Sequence, residues 1–290
     1  MMEKKDKVIL VTGASGKQGG SVAHHLLHEG WKVRALTRNP QKPKCKELES
    51  LGAEVVMGDL NVPSSLEKAL KGVYGVFSVE QPLEHGVEAE IRQGIALAKV
   101  AEKSGVEHFV YSSIGSADQN TGVPFFDSKA EIEEFLRKSN LSYTILRPVY
   151  FMENLMSPSL RDKIYNGTLE LALRPDVPVQ VLSVDDLGAI AAMVFADPHK
   201  FTKTEIELAG DELTGPEMAG VLSKATGRPV EFKELPIEQV RSYSADYAMM
   251  YDWLNLRGFS ADISELQNIY PNLATFEDWV QRSGWHRAAA

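Results

Sequence analysis

The chain has 290 residues, a single cysteine and a formal net charge of −9 at pH 7. An acidic chain is a poor direct ligand for a phosphate backbone, so nucleic acid is not an expected partner. One cysteine excludes an intramolecular disulfide and a cysteine metal cluster. This length can bury a sizeable core, as one large domain or a domain with an elaboration. No apolar run reaches the roughly 18 residues a membrane helix needs. The opening Met-Met-Glu-Lys-Lys-Asp-Lys carries no leader-type apolar stretch, and a cytoplasmic location without membrane contact is the expectation. The closing Arg287-Ala288-Ala289-Ala290 reads as a frayed end or a cloning remnant.

The first element is an apolar β-type run, Val8, Ile9, Leu10 and Val11, followed by glycines spaced Gly13-x-x-Gly16-x-x-Gly19. Val22, Ala23, Leu26 and Leu27 then share one helical face. Strand, glycine turn and helix in that order make a phosphate-binding signature. Gly13 permits the tight turn, Gly16 lets backbone approach a pyrophosphate, and Gly19 lets the helix lie close on the strand. The helix N-terminus offers free N–H groups and partial positive charge to the phosphates.

A C-cap at Glu29-Gly30 leads to a second strand over 31–37. A short helix follows over 45–51, with Cys45 read as a surface thiol in a charged segment. The third strand spans 54–57. Ser64 and Glu67 carry capping-box spacing for a helix that ends at Gly72. The fourth strand covers 73–79. A long helix over 86–104 is expected to turn Ile91, Ile95, Ala98 and Ala101 inward. The fifth strand is 109–112. A helix over 127–139 turns Ile132, Phe135 and Leu136 inward, and 143–146 is the sixth strand. Six strands alternating with helices predict an α/β fold with a doubly wound parallel sheet. Its ligand belongs at the carboxyl ends of the strands.

Past Asn154 the pattern changes. A helix and turn occupy 157–167, a strand 180–182, and a helix 185–195 capped by Ser183. Residues 205–208 alternate and add a seventh strand. A short strand over 230–232 and further helices complete the chain. The expected division is a dinucleotide-binding domain over 1–155, to which 180–210 return. A smaller, mainly helical region takes 156–179 and 211–290.

An NAD-type site places an acid at the end of the second strand, to bond the ribose 2′-OH. Here that strand runs into Thr37-Arg38-Asn39-Pro40-Gln41-Lys42, which has no acid and two cations. The Arg38 guanidinium suits a 2′-phosphate, and Lys42 adds a point charge. NADP(H) is therefore the expected cofactor. Asp59 and Leu60, after the third strand, are placed for the adenine edge.

Together, Val11-Thr12-Gly13-Ala14-Ser15-Gly16-Lys17-Gln18-Gly19-Gly20, Thr37-Arg38-Asn39-Pro40, Gly58-Asp59-Leu60, Phe126-Asp127-Ser128-Lys129 and 147–154 resemble the NmrA-like family of atypical short-chain dehydrogenases/reductases. The resemblance runs to about Trp279. It implies a Rossmann domain with a smaller C-terminal region closing over the nicotinamide. By that resemblance Gly13, Ala14, Ser15, Gly16, Lys17 and Gln18 hold the pyrophosphate, and Arg38, Asn39 and Lys42 the 2′-phosphate. Glu80, Gln81 and Pro82 line the nicotinamide ribose side. Lys129 bonds that ribose and is the one catalytic candidate. Pro148, Val149, Tyr150 and Phe151 flank the nicotinamide ring.

One departure matters. Short-chain dehydrogenases pair a tyrosine with a lysine four residues on, and the lysine lowers the phenol's pKa. Lys129 is present, but Phe125 stands where the tyrosine belongs. Ser112 or Ser113 could polarise a carbonyl, and Tyr111 and Tyr150 are the nearest phenols. Two readings stay open. One is a reductase of quinones or similar activated acceptors, passing hydride to a small molecule without a catalytic tyrosine. The other is a non-catalytic NADP(H) sensor acting through a regulatory protein partner. Among lesser features, His24 and His28 have helical metal-site spacing but read as a solvated face. His85 lies near the expected site mouth, and Asp185-Asp186 compensate a helix dipole. Tyr243, Tyr247, Met250, Tyr251 and Leu254 recur at helical spacing, as a packing face or an apolar wall over the nicotinamide.

Overall fold

A computed structural model describes residues 4–81 and 86–285, so residues 287–290 lie outside it. The chain folds into two compact units. The first contains the described residues of Met1–Asp118, with Phe125–Arg147 and Val184–Ile206; the second contains Gln119–Pro124, Pro148–Ser183 and the described residues of Glu207–Ala290.

The first unit is built on β1 (Val8–Val11), β2 (Lys32–Thr37), β3 (Glu54–Met57), β4 (Gly75–Ser78), β5 (His108–Ser112), β6 (Tyr143–Pro148) and β10 (Thr204–Leu208). These form one sheet in the order β10-β6-β5-β4-β1-β2-β3, with β1 to β6 parallel. Leu10 stands opposite Arg34 on one side and Val76 on the other. Strand order reverses at β1, so a crevice opens between the carboxyl ends of β1 and β4. The strands β4, β5 and β6 are buried at every position, as expected of parallel strands covered on both faces.

Helices α1 (Lys17–His28), α2 (Pro43–Ser50), α3 (Pro63–Ala69), α4 (Val87–Lys103) and α5 (Pro124–Lys138) make the crossovers. Leu66, Leu97, Ala101, Ile132 and Leu136 pack with Leu10, Val76, Phe109 and Ile145 in one core. On the other face α1 lies along a later helix, Val184–Ala196. The expected seventh strand over 205–208 is present as β10.

Three local expectations are corrected. Cys45 is fully buried, because α2 is amphipathic and turns Cys45 and Leu48 inward. Ser64 does not cap α3. Pro63 occupies the first turn, Val62 is the N-cap, and no side chain caps this end. A proline has no N–H to satisfy and its fixed φ starts the helix one residue early. On α4 Ala98 and Ala101 are buried as expected, joined by Glu90, Gly94 and Leu97, while Ile91 and Ile95 are only half-buried. Gly94 sets that rotation. A Cβ there would lie 2.7 Å from Ile132 Cδ1, so α4 and α5 approach more closely than a side chain at position 94 would allow.

The second unit carries α6 (Pro158–Tyr165), β7 (Tyr150–Phe151), β8 (Thr168–Leu171), β9 (Val179–Leu182), β11 (Asp211–Leu213) and β12 (Glu231–Glu234). The strands make two small sheets, β11-β9-β7 and β12-β8. With Val184–Ala196 as α7 and Pro198–Phe201 as α8, the later helices are α9 (Gly215–Thr226), α10 (Ile237–Arg241), α11 (Ala245–Leu256), α12 (Ile263–Ile269) and α13 (Phe276–Arg282). Capping boxes at Thr214/Glu217 and Thr275/Asp278 start α9 and α13. Trp279 Nε1 donates to Glu153 at 2.9 Å, tying α13 to the segment after β7. The aromatic stripe over 243–254 is also corrected: Tyr243 precedes α11 and is 65% exposed, whereas Met250 and Leu254 are buried. Among the described residues no helix is long and apolar enough to cross a membrane.

Candidate active site

A cleft at the carboxyl ends of β1 to β4 lies wholly within the first unit. It holds about 680 Å³ of space open to solvent. Its walls bring together Gly13, Ser15, Arg38, Lys42, Asp59, Leu60, Glu80 and Gln81 of the expected residues. Thr12, Leu36, Thr37, Gly58, Val79 and Gln93, none of them among the expected site residues, complete it.

The turn after β1 has the conformation its glycines anticipate. Gly13 has φ +59°, a left-handed backbone that favours glycine. Gly16 donates to the Gly13 carbonyl at 2.7 Å and is the N-cap of α1, with no side-chain cap bond. Gly16 has no side chain with which to cap α1, as suits an anion site at that end. At Gly19 a Cβ would sit 2.3 Å from the Thr12 carbonyl oxygen, so glycine alone lets α1 lie this close to β1. Thr12 Oγ1 accepts from Val79 N at 2.8 Å, which joins the ends of β1 and β4. Ala14 is buried beneath the turn. Lys17 and Gln18 open α1, and Gln18 Oε1 accepts from Ser112 Oγ at 2.6 Å.

Arg38 and Lys42 reach the cleft from the β2–α2 loop, and Asn39 shapes that loop rather than lining it. Asn39 Oδ1 accepts from Gln41 N at 3.0 Å, and its own N–H donates to Thr37 Oγ1 at 3.1 Å. Asp59 folds its own turn in the same way, accepting from Asn61 N at 2.8 Å.

Behind the cleft lies a buried polar cluster. Glu80 is 4% exposed; its Oε1 accepts from Ser78 Oγ at 2.7 Å, and its Oε2 has no partner. Burial raises its carboxyl to about 7. On α4, fully buried Glu90 accepts from Lys129 Nζ through Oε1 and from Ser128 Oγ through Oε2, each at 2.5 Å. Phe125, one turn before Lys129, packs edge-on against Phe126. Tyr111 is fully buried without a hydroxyl partner, and burial pushes its phenol well above the ordinary range. The serines at the end of β5 are committed: Ser112 donates to Gln18, and Ser113 to Glu133. The sequence missed Glu90. Its one signal was an acid within an otherwise apolar helical stripe.

In the second unit, Pro148 leads to Val149, which donates to the Leu208 carbonyl at 3.1 Å. Tyr150 and Phe151 form β7. Burial holds the Tyr150 phenol at about 12, where it shares hydrogen bonds with Tyr251 and Asn154. His25 on α1 pairs with Asp185 on α7 at 2.8 Å. Among the described residues no three His, Cys, Asp or Glu side chains are grouped to hold a metal. Pro82 and His85 lie outside the described residues.

A doubly wound parallel sheet with a glycine turn and an uncapped helix N-terminus at its switch point defines a Rossmann-type α/β protein. The chain belongs to the NmrA-like family, whose model matches residues 5–280. It is 33% identical over 299 residues to an NmrA-like family domain-containing protein of Dictyostelium discoideum, covering 95% of this chain and 97% of that one. It is 30% identical over 236 residues to the NAD(P)H azoreductase of Xenophilus azovorans, covering 81% and 79%. Among solved structures it is similar to Citrobacter sp. triphenylmethane reductase complexed with NADP(H), with TM-score 0.83, 24% identity and coverage of 96% and 99%. It is also similar to an NADPH-dependent quinone oxidoreductase of Escherichia coli, with TM-score 0.78, 24% identity and coverage of 95% and 99%.

Proposed function

We propose that the chain is an NADP(H)-dependent reductase that passes hydride to an electron-poor acceptor such as a quinone or an azo compound. The observation that carries this reading is the cleft wall at the end of β2. Arg38 and Lys42 stand there, and no acid does. The residues fit a dinucleotide: the uncapped first turn of α1 offers N–H donors, and Gly13 and Gly16 keep side chains out of their path. Gly13 to Gln18 hold the pyrophosphate, Arg38 and Lys42 the 2′-phosphate, and Asp59 and Leu60 the adenine. Glu80, Gln81 and Lys129 serve the nicotinamide ribose. The nicotinamide supplies the hydride when bound. Lys129 contributes positive charge as the acceptor becomes anionic. Phe125 transfers no proton, which favours acceptors that take hydride readily over simple ketones. A relative that is an azoreductase and neighbours that reduce triphenylmethane dyes and quinones support that substrate class.

The test is loss of NADPH absorbance against a panel of quinones, azo dyes and simple ketones. Turnover of the first two and none of the third is expected. Phe125 also favours a second reading, a non-catalytic sensor with a regulatory protein partner. No turnover with any acceptor, together with an NADPH-dependent change in protease sensitivity after Asn154, would select it.

A further inference from the structure

Two carboxylates and one ammonium share the wall behind the cleft. Both oxygens of Glu90 accept hydrogen bonds, one from Lys129 and one from Ser128. The Lys129 ammonium is thus taken up by Glu90 in a buried ion pair. That leaves Glu80 with no countercharge of its own. Its Oε1 accepts from Ser78, and among the described residues its buried Oε2 has no hydrogen-bond partner. A bare carboxylate oxygen in that setting is costly, whereas a carboxylic acid there presents an O–H.

Among the described residues, the groups facing Glu80 are few. Ser78 comes from its own strand, Tyr111 from β5, Glu90 from α4 and Lys129 from α5. Of these, Glu90 works against ionisation of Glu80 and Lys129 for it, and burial exceeds both. Arg38, Lys42 and Asp59 line the same cleft farther along. From the β1 turn, Thr12, Gly13 and Ser15 face the cleft.

We propose that Glu80 holds a proton at Oε2 and that this proton is required for the anionic dinucleotide to bind, so cofactor affinity is linked to proton uptake. The inference rests on the dinucleotide reading of the cleft. Protonated Glu80 offers a donor to a hydroxyl or phosphate oxygen. Ionised Glu80 adds a second negative charge against a ligand that is already anionic. Its raised carboxyl, about 7 rather than 4.5, puts the change within the working range of pH.

Calorimetric titration of the full chain with NADPH and NADH from pH 6 to 9 tests this. Above the Glu80 titration, Kd should rise by up to tenfold per pH unit. Binding at pH 8 should take up close to one proton, read from the heats in two buffers of different ionisation enthalpy. NADH is the cleaner probe, because the 2′-phosphate of NADPH itself titrates near pH 6. Glu80→Gln, which keeps the shape and removes the charge, should flatten the slope and abolish the uptake. Should that variant not fold, proton uptake by the unaltered chain with NADH still decides: none at pH 8 overturns the inference. Parallel pH profiles for the unaltered chain and Glu80→Gln overturn it too. Failure of both dinucleotides to bind at pH 6 overturns the inference and the cleft reading together; binding without proton linkage overturns the inference alone.

Discussion

Lys129 donates through Nζ to Oε1 of Glu90 at 2.5 Å, and both side chains are buried. The lysine is thus set by an acid on a neighbouring helix, with a phenylalanine one turn before it. Its ammonium is held in place, and no phenol stands at that spacing to receive its influence.

Removing one partner of a buried pair leaves the other charge uncompensated. Glu90→Ala should therefore destabilise the fold by about 3–5 kcal/mol. Combining Glu90→Leu with Lys129→Met should recover much of that loss. Urea unfolding midpoints measure both. A loss below about 1 kcal/mol in the single variant would mean the ammonium escapes to water.

The cation pair at the end of β2 predicts cofactor choice. NADPH should bind at least tenfold tighter than NADH, about 1.4 kcal/mol. Arg38→Ala should remove most of that difference and leave NADH affinity nearly unchanged, the outcome expected if the guanidinium pairs with the 2′-phosphate. Titration calorimetry checks it, and equal affinities in the unaltered chain would defeat it.

What could be read from the sequence divides along a physical line. The β1 turn was legible because its glycines, apolar strand and helical stripe are local and lie within a single βα unit. The sheet was legible because parallel strands buried on both faces read as short apolar runs between helices. Glu90 was not legible, since its place depends on how closely α4 meets α5, and that is decided by Gly94 against Ile132. Reading Ile91 and Ile95 as the inner face turned Glu90 away from Lys129. Cys45 misled in the same way, because its charged neighbours point outward while it packs beneath α2. The strands β7 and β11 are two and three residues long, too short for alternation to announce them.

Gly16 offers a test of the phosphate turn. A Cβ there would be 3.0 Å from the Gly13 carbonyl oxygen, tight but not prohibitive, and its backbone is extended at φ −91°. Gly16→Val should therefore fold, by circular dichroism, and lose dinucleotide binding as the branched side chain occupies the approach to α1. Undiminished affinity in a folded variant would place the phosphates elsewhere.

His108 and Glu80 should bend the pH dependence of stability in opposite directions. His108 lies wholly buried on β5; Nε2 bonds Thr144 Oγ1 at 2.8 Å, and Nδ1 has no partner. Burial lowers its pKa from 6.5 to about 4. Below pH 6.5 the unfolded chain takes up a proton there that the folded chain refuses until about 4, so acidification through that range favours unfolding. The full effect is about 3 kcal/mol. Glu80 does the reverse. Between 4.5 and about 7 the folded chain keeps a proton that the unfolded chain has lost, so its contribution to stability falls as pH rises through that window and levels above it. Urea unfolding of His108→Asn, Glu80→Gln and the unaltered chain at pH 4.5, 6 and 7.5 separates the two. His108→Asn should lose less stability on acidification than the unaltered chain, and Glu80→Gln less on going from pH 6 to 7.5. A His108→Asn curve parallel to that of the unaltered chain would show that the imidazole takes up its proton equally in the folded and unfolded chains.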